Sequence, residues 1–310
     1  MGPPTPPDRT PDLTRILALL GPTASGKTEM AVRLAERLEG EVISVDSMQI
    51  YRGMDIGTAK PTLLDRRGIP HHLIDIVDPE EEFSVAEFRR QGRVIIETNE
   101  SPVLVITGGS GLHFRALVDP MSFAPTDPEL RASLEDRPGS DLVDVLLGID
   151  PDARTLVDLA NHRRVVRAVE IYQLTGETPS MRAGTALAED VRRYVPEIGF
   201  VAVGVDPGAA LELRIEARLH RMREEGLVGE VRRLAPDLGR TARNAVGYRQ
   251  VLSALRGDIG VDEAFAQASS HTKRLARKQR TWFQRDPRIR WIPWIEDIEE
   301  RSSRVLEALV

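Results

Sequence analysis

The segment Gly21-Pro22-Thr23-Ala24-Ser25-Gly26-Lys27-Thr28 constrains the fold of this chain more than any other feature. Its spacing fits G-x-x-x-x-G-K-[ST], the phosphate-binding loop. The apolar run Ile16 to Leu20 precedes it, and apolar residues at three- and four-residue spacing follow it, which predicts a strand, a turn and a helix. Such a turn directs backbone N–H groups and the positive end of the helix at one anion. We therefore expect Lys27 to contact phosphate oxygens and the Thr28 hydroxyl to bind Mg²⁺.

Four further apolar runs alternate with helical patterns along the chain. They are Val42 to Asp46, Leu73 to Val77, Val103 to Gly109 and Gly199 to Asp206. Unbroken apolar strands of this kind belong to a parallel sheet that is covered on both faces. The predicted fold class is therefore α/β: a P-loop NTPase-like parallel sheet with flanking helices and a helical insertion domain. Ligands of such sheets gather at the carboxyl ends of the strands.

The alternation of strands and helices stops at residue 120 and resumes at residue 199. The stretch 120–198 contains helical patterns, for example Asp152 to Leu174, and is predicted to be a helical insertion. The Pro-rich residues 1–12 are predicted to be disordered. The α/β core then comprises 13–119 and 199–310, and its C-terminal part has long helical patterns at 209–234, 246–255 and 261–283.

Composition narrows the possible function classes. The 310 residues include no Cys, which excludes disulfides, thiolate metal sites and cysteine nucleophiles. Neither a signal peptide nor an apolar run of about 20 residues is found, so we expect a soluble, cytoplasmic protein without a membrane partner. The net charge is −6, yet residues 201–290 carry 18 Arg and Lys against 11 Asp and Glu. That local excess is compatible with ordinary solvated helices or with a nucleic-acid partner.

Two polar groups follow predicted strands and are candidates for chemistry. Asp46 ends the second strand, where it could act as a base, hold a metal or cap the next helix, the last being the more frequent role. Gly108 to Gly111 follows the fourth strand and includes Ser110. Glycines there permit close approach of a ligand, but a tight turn without a ligand fits the pattern equally well.

Two basic clusters lie on predicted helices. Arg163 and Arg167 fall one turn apart with Arg164 beside them, and could hold a phosphate backbone, although Arg167 could instead pair with Glu170. The helix 272–285 carries the stripe Lys273, Arg277 and Arg280, followed by Trp282 and Phe283. Basic residues beside aromatic ones suit single-stranded nucleic acid. Aromatic residues are more often core, and we expect Trp282 to be buried.

Together these motifs resemble the tRNA dimethylallyltransferase family, also called tRNA isopentenyltransferases, in its bacterial form. The resemblance spans roughly residues 15–295. It rests on GPTASGKT at 21–28, SVDSMQIYRGMDIGTAKP at 44–61, the GGSGL turn, DPELR at 127–131, RRVVRAVE at 163–170, LRIEARL at 213–219, VGYRQ at 246–250 and the helix ending in QRTW. It implies transfer of a dimethylallyl group from its diphosphate to the exocyclic amine of adenine 37, beside the tRNA anticodon.

The resemblance also implies roles for individual residues. It makes Asp46 the base, Arg218 a stabiliser of the leaving diphosphate and Ser110 a hydrogen-bond partner of the extruded adenine. It implies that residues 21–28 bind the prenyl diphosphate rather than ATP, with Mg²⁺ at Thr28. The implied tRNA contacts are Asp46, Ser47, Met48, Gln49, Ser110, Arg131, Arg163, Arg164, Val165, Val166 and Arg167. The implied partners are the anticodon stem-loop and dimethylallyl diphosphate, and we expect a monomer without a zinc finger.

The chain departs from the family's usual pattern at two positions, with Ser110 in place of Thr and His113 in place of Tyr. The hydroxyl is kept at the first position, whereas the second changes the aromatic group near the site. Three other functions fit parts of the sequence. They are prenylation of free adenine nucleotides, phosphorylation of a small metabolite by a P-loop kinase, and RNA binding without catalysis.

Overall fold

A computed structural model describes residues 15–309, so the predicted disordered segment 1–12 lies outside the described residues. Contacts divide the chain into two compact units. The larger unit is formed by the chain up to Val118 and from Ile198 onward, and the smaller unit is Asp119–Glu197.

The larger unit is built on one parallel sheet. Its strands are β1 (Ile16–Leu20), β2 (Glu41–Ser44), β3 (His71–His72), β4 (Leu104–Gly108), β5 (Val201–Val205) and β6 (Ile289–Ile292). They are ordered β3-β2-β4-β1-β5-β6, and β1 pairs in parallel with both β4 and β5. The predicted α/β class is therefore confirmed, with β1 at the centre of the sheet.

Helices follow the strands and are numbered along the whole chain. In the first part of the larger unit they are α1 (Lys27–Arg37), α2 (Leu63–Arg66), α3 (Val85–Thr98) and α4 (Gly111–Val118). The smaller unit contains α5 (Pro128–Glu135), α6 (Gly139–Ile149), α7 (Ala153–Leu156), α8 (His162–Thr175), α9 (Pro179–Ala183) and α10 (Ala186–Arg192). The larger unit continues with α11 (Leu211–Glu224), α12 (Leu227–Leu234), α13 (Arg240–Arg243), α14 (Tyr248–Leu255), α15 (Val261–Gln284) and α16 (Ile298–Leu309).

Both faces of the sheet are buried, because alternate residues of β1 belong to different core layers. Leu17 and Leu19 pack in a layer with α1 and α16. Ala18 and Leu20 pack in the opposite layer, which includes α4, α11 and α14. All five β1 residues are buried, which explains why the strand reads as an unbroken apolar run.

The smaller unit is helical and has its own core. Leu134, Leu142, Leu146 and Val169 are buried between α5, α6 and α8. The pattern 152–174 predicted one continuous helical segment, but residues 157–161 separate α7 from α8. Asn161 accepts a hydrogen bond from the Arg164 N–H, which caps the start of α8. None of the described helices in either unit is long and apolar enough to cross a membrane.

The larger unit differs from the predicted elements at three places. Leu73 to Val77 was predicted to be a strand, but Leu73 and Asp75 have positive φ angles, so the backbone turns there and the strand ends at His72. The pattern 209–234 forms two helices, because Gly226 has φ of 97° between α11 and α12. Strand β6 was not predicted, since it is short and carries an exposed, charged Arg290.

The central strand provides a test of the core. Leu19→Ala removes a side chain that is 1% exposed and leaves a cavity between β1, α1 and their neighbours, so we expect a loss of about 2–5 kcal/mol in the free energy of unfolding. Urea unfolding followed by circular dichroism measures it. Leu213→Ala, at a side chain in α11 that is 75% exposed, is the control and should change the free energy by less than about 0.5 kcal/mol. Equal midpoints for the two variants would contradict the described packing.

Candidate active site

The loop between β1 and α1 encloses the ammonium group of Lys27. Gly26 has φ of 78° and caps α1, so the chain reverses there and the helix begins at Lys27. The Lys27 Nζ donates hydrogen bonds to the Pro22 carbonyl at 2.7 Å and to the Ser25 hydroxyl at 3.3 Å. Lys27 is only 8% exposed, and the predicted turn therefore holds a buried cation at the start of a helix.

The pKa of Lys27 is lowered to about 7. Burial is the largest cause because it disfavours the charged amine, and the neighbouring Arg218 guanidinium acts in the same direction. Asp46 opposes both by favouring the charged form. Two basic groups are thus close together at this loop, and a bound anion would stabilise the charged form of both.

Helix α11 supplies two guanidinium groups to the loop. Arg218 donates to the Thr23 hydroxyl at 2.9 Å and to the Thr58 carbonyl at 3.3 Å, and burial lowers its pKa. Arg214 donates to the Ala24 carbonyl at 2.9 Å. Arg214 was not among the predicted site residues, although it lies one helical turn before Arg218 in LRIEARL, a spacing that places both on one face.

Asp46 lies just beyond the end of β2 and is half-buried. Its Oδ1 accepts the Met48 N–H at 2.8 Å and the Gln49 N–H at 3.3 Å, so the residue caps a turn, whereas the sequence pattern suggested a helix there. Its Oδ2 takes part in no hydrogen bond within residues 15–309, and the residue lines the central cavity. Capping and a chemical role are therefore compatible, since they use different oxygens.

Ser110 and His113 form a pair at the end of β4. The Ser110 Oγ lies 2.7 Å from the His113 Nδ1. Burial lowers the pKa of His113 to about 4, although Asp46 acts in the opposite direction. The imidazole is therefore neutral near pH 7 and packs edge-to-face against Phe88. The ring at position 113 thus supports the Ser110 hydroxyl from within the core.

One cavity of about 1510 Å³ brings most of the predicted residues together. The predicted residues that line it are Thr23, Ala24, Gly26, Lys27, Thr28, Asp46, Ser47, Met48, Gln49, Ser110 and Arg218. Gly21, Pro22 and Ser25 are buried behind this surface. The cavity is also lined by Leu112, Leu275, Lys278 and Gln279, which were not predicted.

Trp282 lies at this cavity, and its predicted place in the core is wrong. The side chain is 44% exposed, whereas the next residue, Phe283, is 1% exposed. The basic stripe on the same helix is paired with acidic residues. Lys273 contacts Glu216 at 2.7 Å, and Arg280 contacts Asp206 at 2.7 Å. Most of the positive charge of that stripe is therefore neutralised within the larger unit.

In the smaller unit, Glu170 joins two of the predicted tRNA contacts. This carboxylate is buried and lies 2.7 Å from both the Arg131 and the Arg167 guanidinium groups, so the alternative of an Arg167–Glu170 ion pair is what the structure contains. Burial raises the pKa of Glu170. The two guanidinium groups and the Asp127 N–H together have the larger, opposite effect, so the net pKa is below its usual value.

The remaining predicted contacts of the smaller unit divide into two kinds. Val165 and Val166 are buried, and their side chains belong to the core of the smaller unit. Arg163 and Arg164 are exposed at the start of α8, and Arg164 lies 3.6 Å from Asp158. These two residues are more exposed than Arg131 and Arg167, whose guanidinium groups are paired with Glu170.

The donor set at the cavity fits a cation that binds mainly through substrate oxygens. No group of three or more acidic or imidazole side chains is close enough to hold a metal ion in the part of the chain that the structure describes. Thr28 and Asp46 both line the cavity and offer a hydroxyl and a carboxylate. Mg²⁺ is typically held by one or two such protein oxygens, by waters and by substrate phosphates.

Comparison with known proteins identifies the family. The IPP transferase family model matches residues 49–286, and the isopentenyl transferase model matches residues 14–75. The chain is 44% identical to the tRNA dimethylallyltransferase of Bifidobacterium longum over 292 residues, which cover 90% of this chain and 86% of that one. It is 46% identical to the tRNA dimethylallyltransferase of Streptomyces avermitilis, with 91% of each chain covered. The chain belongs to the tRNA dimethylallyltransferase family.

A solved structure agrees with this assignment. The full-length tRNA isopentenylpyrophosphate transferase of Bacillus halodurans is 36% identical and superposes with a TM-score of 0.67, covering 96% of this chain and 97% of that one. The protein is therefore a prenyltransferase, as the motifs at 21–28 and 44–61 predicted, and not a P-loop kinase. A divalent metal is typical of enzymes that use a diphosphate substrate, as this family does.

The lowered pKa of Lys27 predicts that anion binding takes up a proton. The protein's own groups keep this amine largely neutral at about pH 8, and a bound diphosphate favours its charged form. We expect pyrophosphate binding to take up as much as about one proton more in the parent than in Lys27→Met. Isothermal titration calorimetry in two buffers of different ionisation enthalpy measures this difference. Equal uptake by both proteins would show that Lys27 does not titrate on binding.

Proposed function

We propose that this protein transfers the dimethylallyl group of dimethylallyl diphosphate to the exocyclic amine of adenine 37 in the tRNA anticodon stem-loop. One observation carries the proposal: the Asp46 carboxylate, the basic groups of Lys27 and Arg218, and the supported Ser110 hydroxyl line a single cavity. Its volume of about 1510 Å³ exceeds the 300–1,000 Å³ that is typical of small-molecule sites, which leaves room for a prenyl donor together with an extruded base.

The proposed reaction is a displacement at the first carbon of the prenyl group. The amine nitrogen forms a bond to that carbon, the carbon–oxygen bond to the diphosphate breaks, and the leaving group departs with the electron pair. The amine proton passes to Asp46, whose Oδ2 is available for it. Lys27 and Arg218 stabilise the negative charge that develops on the diphosphate.

Mg²⁺ fits the same site. We infer that the Thr28 hydroxyl and the diphosphate oxygens would hold it, with Asp46 as the predicted carboxylate that lines the same cavity. When bound, the ion neutralises charge on the leaving diphosphate. The Ser110 hydroxyl, supported by His113, is a hydrogen-bond partner for the base edge.

The helical residues 120–198 are the proposed tRNA-binding part. The exposed Arg163 and Arg164 support this, since they offer two guanidinium groups on one helix start. We expect a monomer to suffice, because one chain supplies all the proposed residues. We further expect the reaction in the cytoplasm, where tRNA is found. Mass spectrometry of nucleosides, after incubation of the protein with unmodified stem-loop and dimethylallyl diphosphate, tests the function directly. Absence of a prenylated adenosine, with prenylated free nucleotide instead, would favour the alternative acceptor.

Asp46→Asn tests the proposed base. Asparagine keeps an oxygen that can accept the Met48 and Gln49 N–H groups, so the fold should be unaffected, but it cannot take up the amine proton. We expect the single-turnover rate with saturating stem-loop to fall on the order of 100- to 10,000-fold. Asp78→Asn, at an exposed ion pair with Arg52, is the control and should retain the parent rate. A rate within a few-fold of the parent would leave Asp46 with capping alone.

Arg163 and Arg164 test the tRNA-binding part. Alanine at either position should weaken stem-loop binding, without a change in pyrophosphate affinity, and should reduce the slope of log affinity against log salt by about 0.7–0.9 for each phosphate contact removed. Filter binding at several salt concentrations measures both. Arg256→Ala, at an exposed Arg of the larger unit that pairs with Asp258, is the control and should keep the parent affinity and slope. Parent affinity and slope in both variants would exclude the start of α8 from the tRNA site.

A further inference from the structure

The loop from Met54 to Lys60 is held by a buried carboxylate that lies on a distant helix. Glu230, in α12, is 2% exposed. Its two oxygens accept three consecutive backbone N–H groups, from Asp55 at 3.0 Å, Ile56 at 2.8 Å and Gly57 at 3.0 Å. Hydrogen bonds to a charged acceptor are shorter and stronger than neutral ones, and three of them on adjacent residues fix the local backbone.

A tyrosine completes this arrangement. The Tyr248 hydroxyl, at the start of α14, donates to Glu230, and burial together with the nearby carboxylate raises its pKa, so it stays a donor at any assay pH. Its ring lies directly against Gly57. A Cβ at that position would come within 2.3 Å of the Tyr248 ring, so only glycine lets the loop approach this closely. The loop is therefore clamped between Glu230 and Tyr248.

The clamped segment leads directly into the proposed site. The residue after Gly57 is Thr58, whose carbonyl accepts hydrogen bonds from Arg218 at 3.3 Å and from the Gln49 amide at 3.3 Å. Arg218 is thus held between the Thr23 hydroxyl, on the phosphate loop, and a carbonyl whose place depends on the clamp. A shift of the loop would move an acceptor of the guanidinium that faces the diphosphate.

We propose that Glu230 is a positioning residue for prenyl transfer: by holding the N–H groups of residues 55–57, it places the Thr58 carbonyl and so orients Arg218 toward the diphosphate. Glu230 does not line the cavity, and it acts through the loop alone. This inference rests on the proposed function, because it assigns Arg218 to the leaving group. It also explains why a carboxylate remains in a buried place, where an unpaired charge would be costly.

Glu230→Gln tests the proposal. The amide keeps the size of the side chain but turns a donor toward backbone donors, so the loop should shift. We expect kcat to fall on the order of 100-fold, as small misplacements of a positioned group do, and pyrophosphate to bind more weakly. Tyr248→Phe keeps the carboxylate with its three backbone hydrogen bonds and should reduce kcat by about 2- to 10-fold. Steady-state kinetics, pyrophosphate calorimetry and thermal unfolding are measured for both variants.

The control separates positioning from stability. Asp286 is another buried carboxylate of the larger unit, 4% exposed, bonded to Arg288 and outside the cavity lining. Asp286→Asn should lower the melting temperature and leave kcat and pyrophosphate affinity within about twofold in the folded protein. If Glu230→Gln behaves in the same way, its role is structural and the proposal is wrong. If Glu230→Gln does not fold, Tyr248→Phe decides instead. A kcat and a pyrophosphate affinity equal to those of the parent in Tyr248→Phe would overturn the proposal.

The proposed function is judged separately from the clamp. If the parent forms no prenylated adenosine on the stem-loop, the proposed function fails whatever the variants do. Pyrophosphate affinity still decides the clamp in that case, because it reports the orientation of Arg218 without any transfer to tRNA. Weaker pyrophosphate binding in Glu230→Gln, with parent affinity in Asp286→Asn, supports the clamp in either case.

Discussion

The close approach of Lys27 and Arg218 is the interaction on which the candidate site depends. Burial removes the Lys27 amine from water and the neighbouring Arg218 guanidinium repels its charged form, which is why the pKa of the lysine falls to about 7. The fold maintains this arrangement through the central strand β1, which fixes the loop, and through α11, which carries the guanidinium. A diphosphate would balance both charges, so the arrangement favours binding of the proposed prenyl donor.

Local chemistry accounts for the parts that could be predicted from sequence. The phosphate loop, its strand and its helix follow from glycine placement and apolar spacing, and these depend on neighbouring residues only. Leu73 to Val77 was misread because apolar composition does not reveal that Leu73 and Asp75 take positive φ angles. Trp282 was misread because helical periodicity cannot tell an aromatic residue in the core from one at a cavity.

Long-range hydrogen bonds account for what the sequence could not predict. Glu230 contacts backbone N–H groups more than 170 residues earlier in the chain, and backbone groups leave no trace in residue identity. In the smaller unit, the spacing predicted a possible pair between Arg167 and Glu170, but not that Arg131 shares the same carboxylate. The shared Glu170 carboxylate gives Arg131 and Arg167 a structural role, whereas Arg163 and Arg164 are exposed.

The strand order has a consequence for folding during synthesis on the ribosome. The central strand β1 is made first, yet its two neighbours, β4 and β5, are made about 90 and 185 residues later. One edge of β1 can pair once β4 has emerged, but the edge that pairs with β5 stays open until about two-thirds of the chain has been made. The segment 119–197 has its own core of neighbouring helices and can fold in the meantime. The helical segment is therefore complete before β5 can pair with β1 and join the sheet.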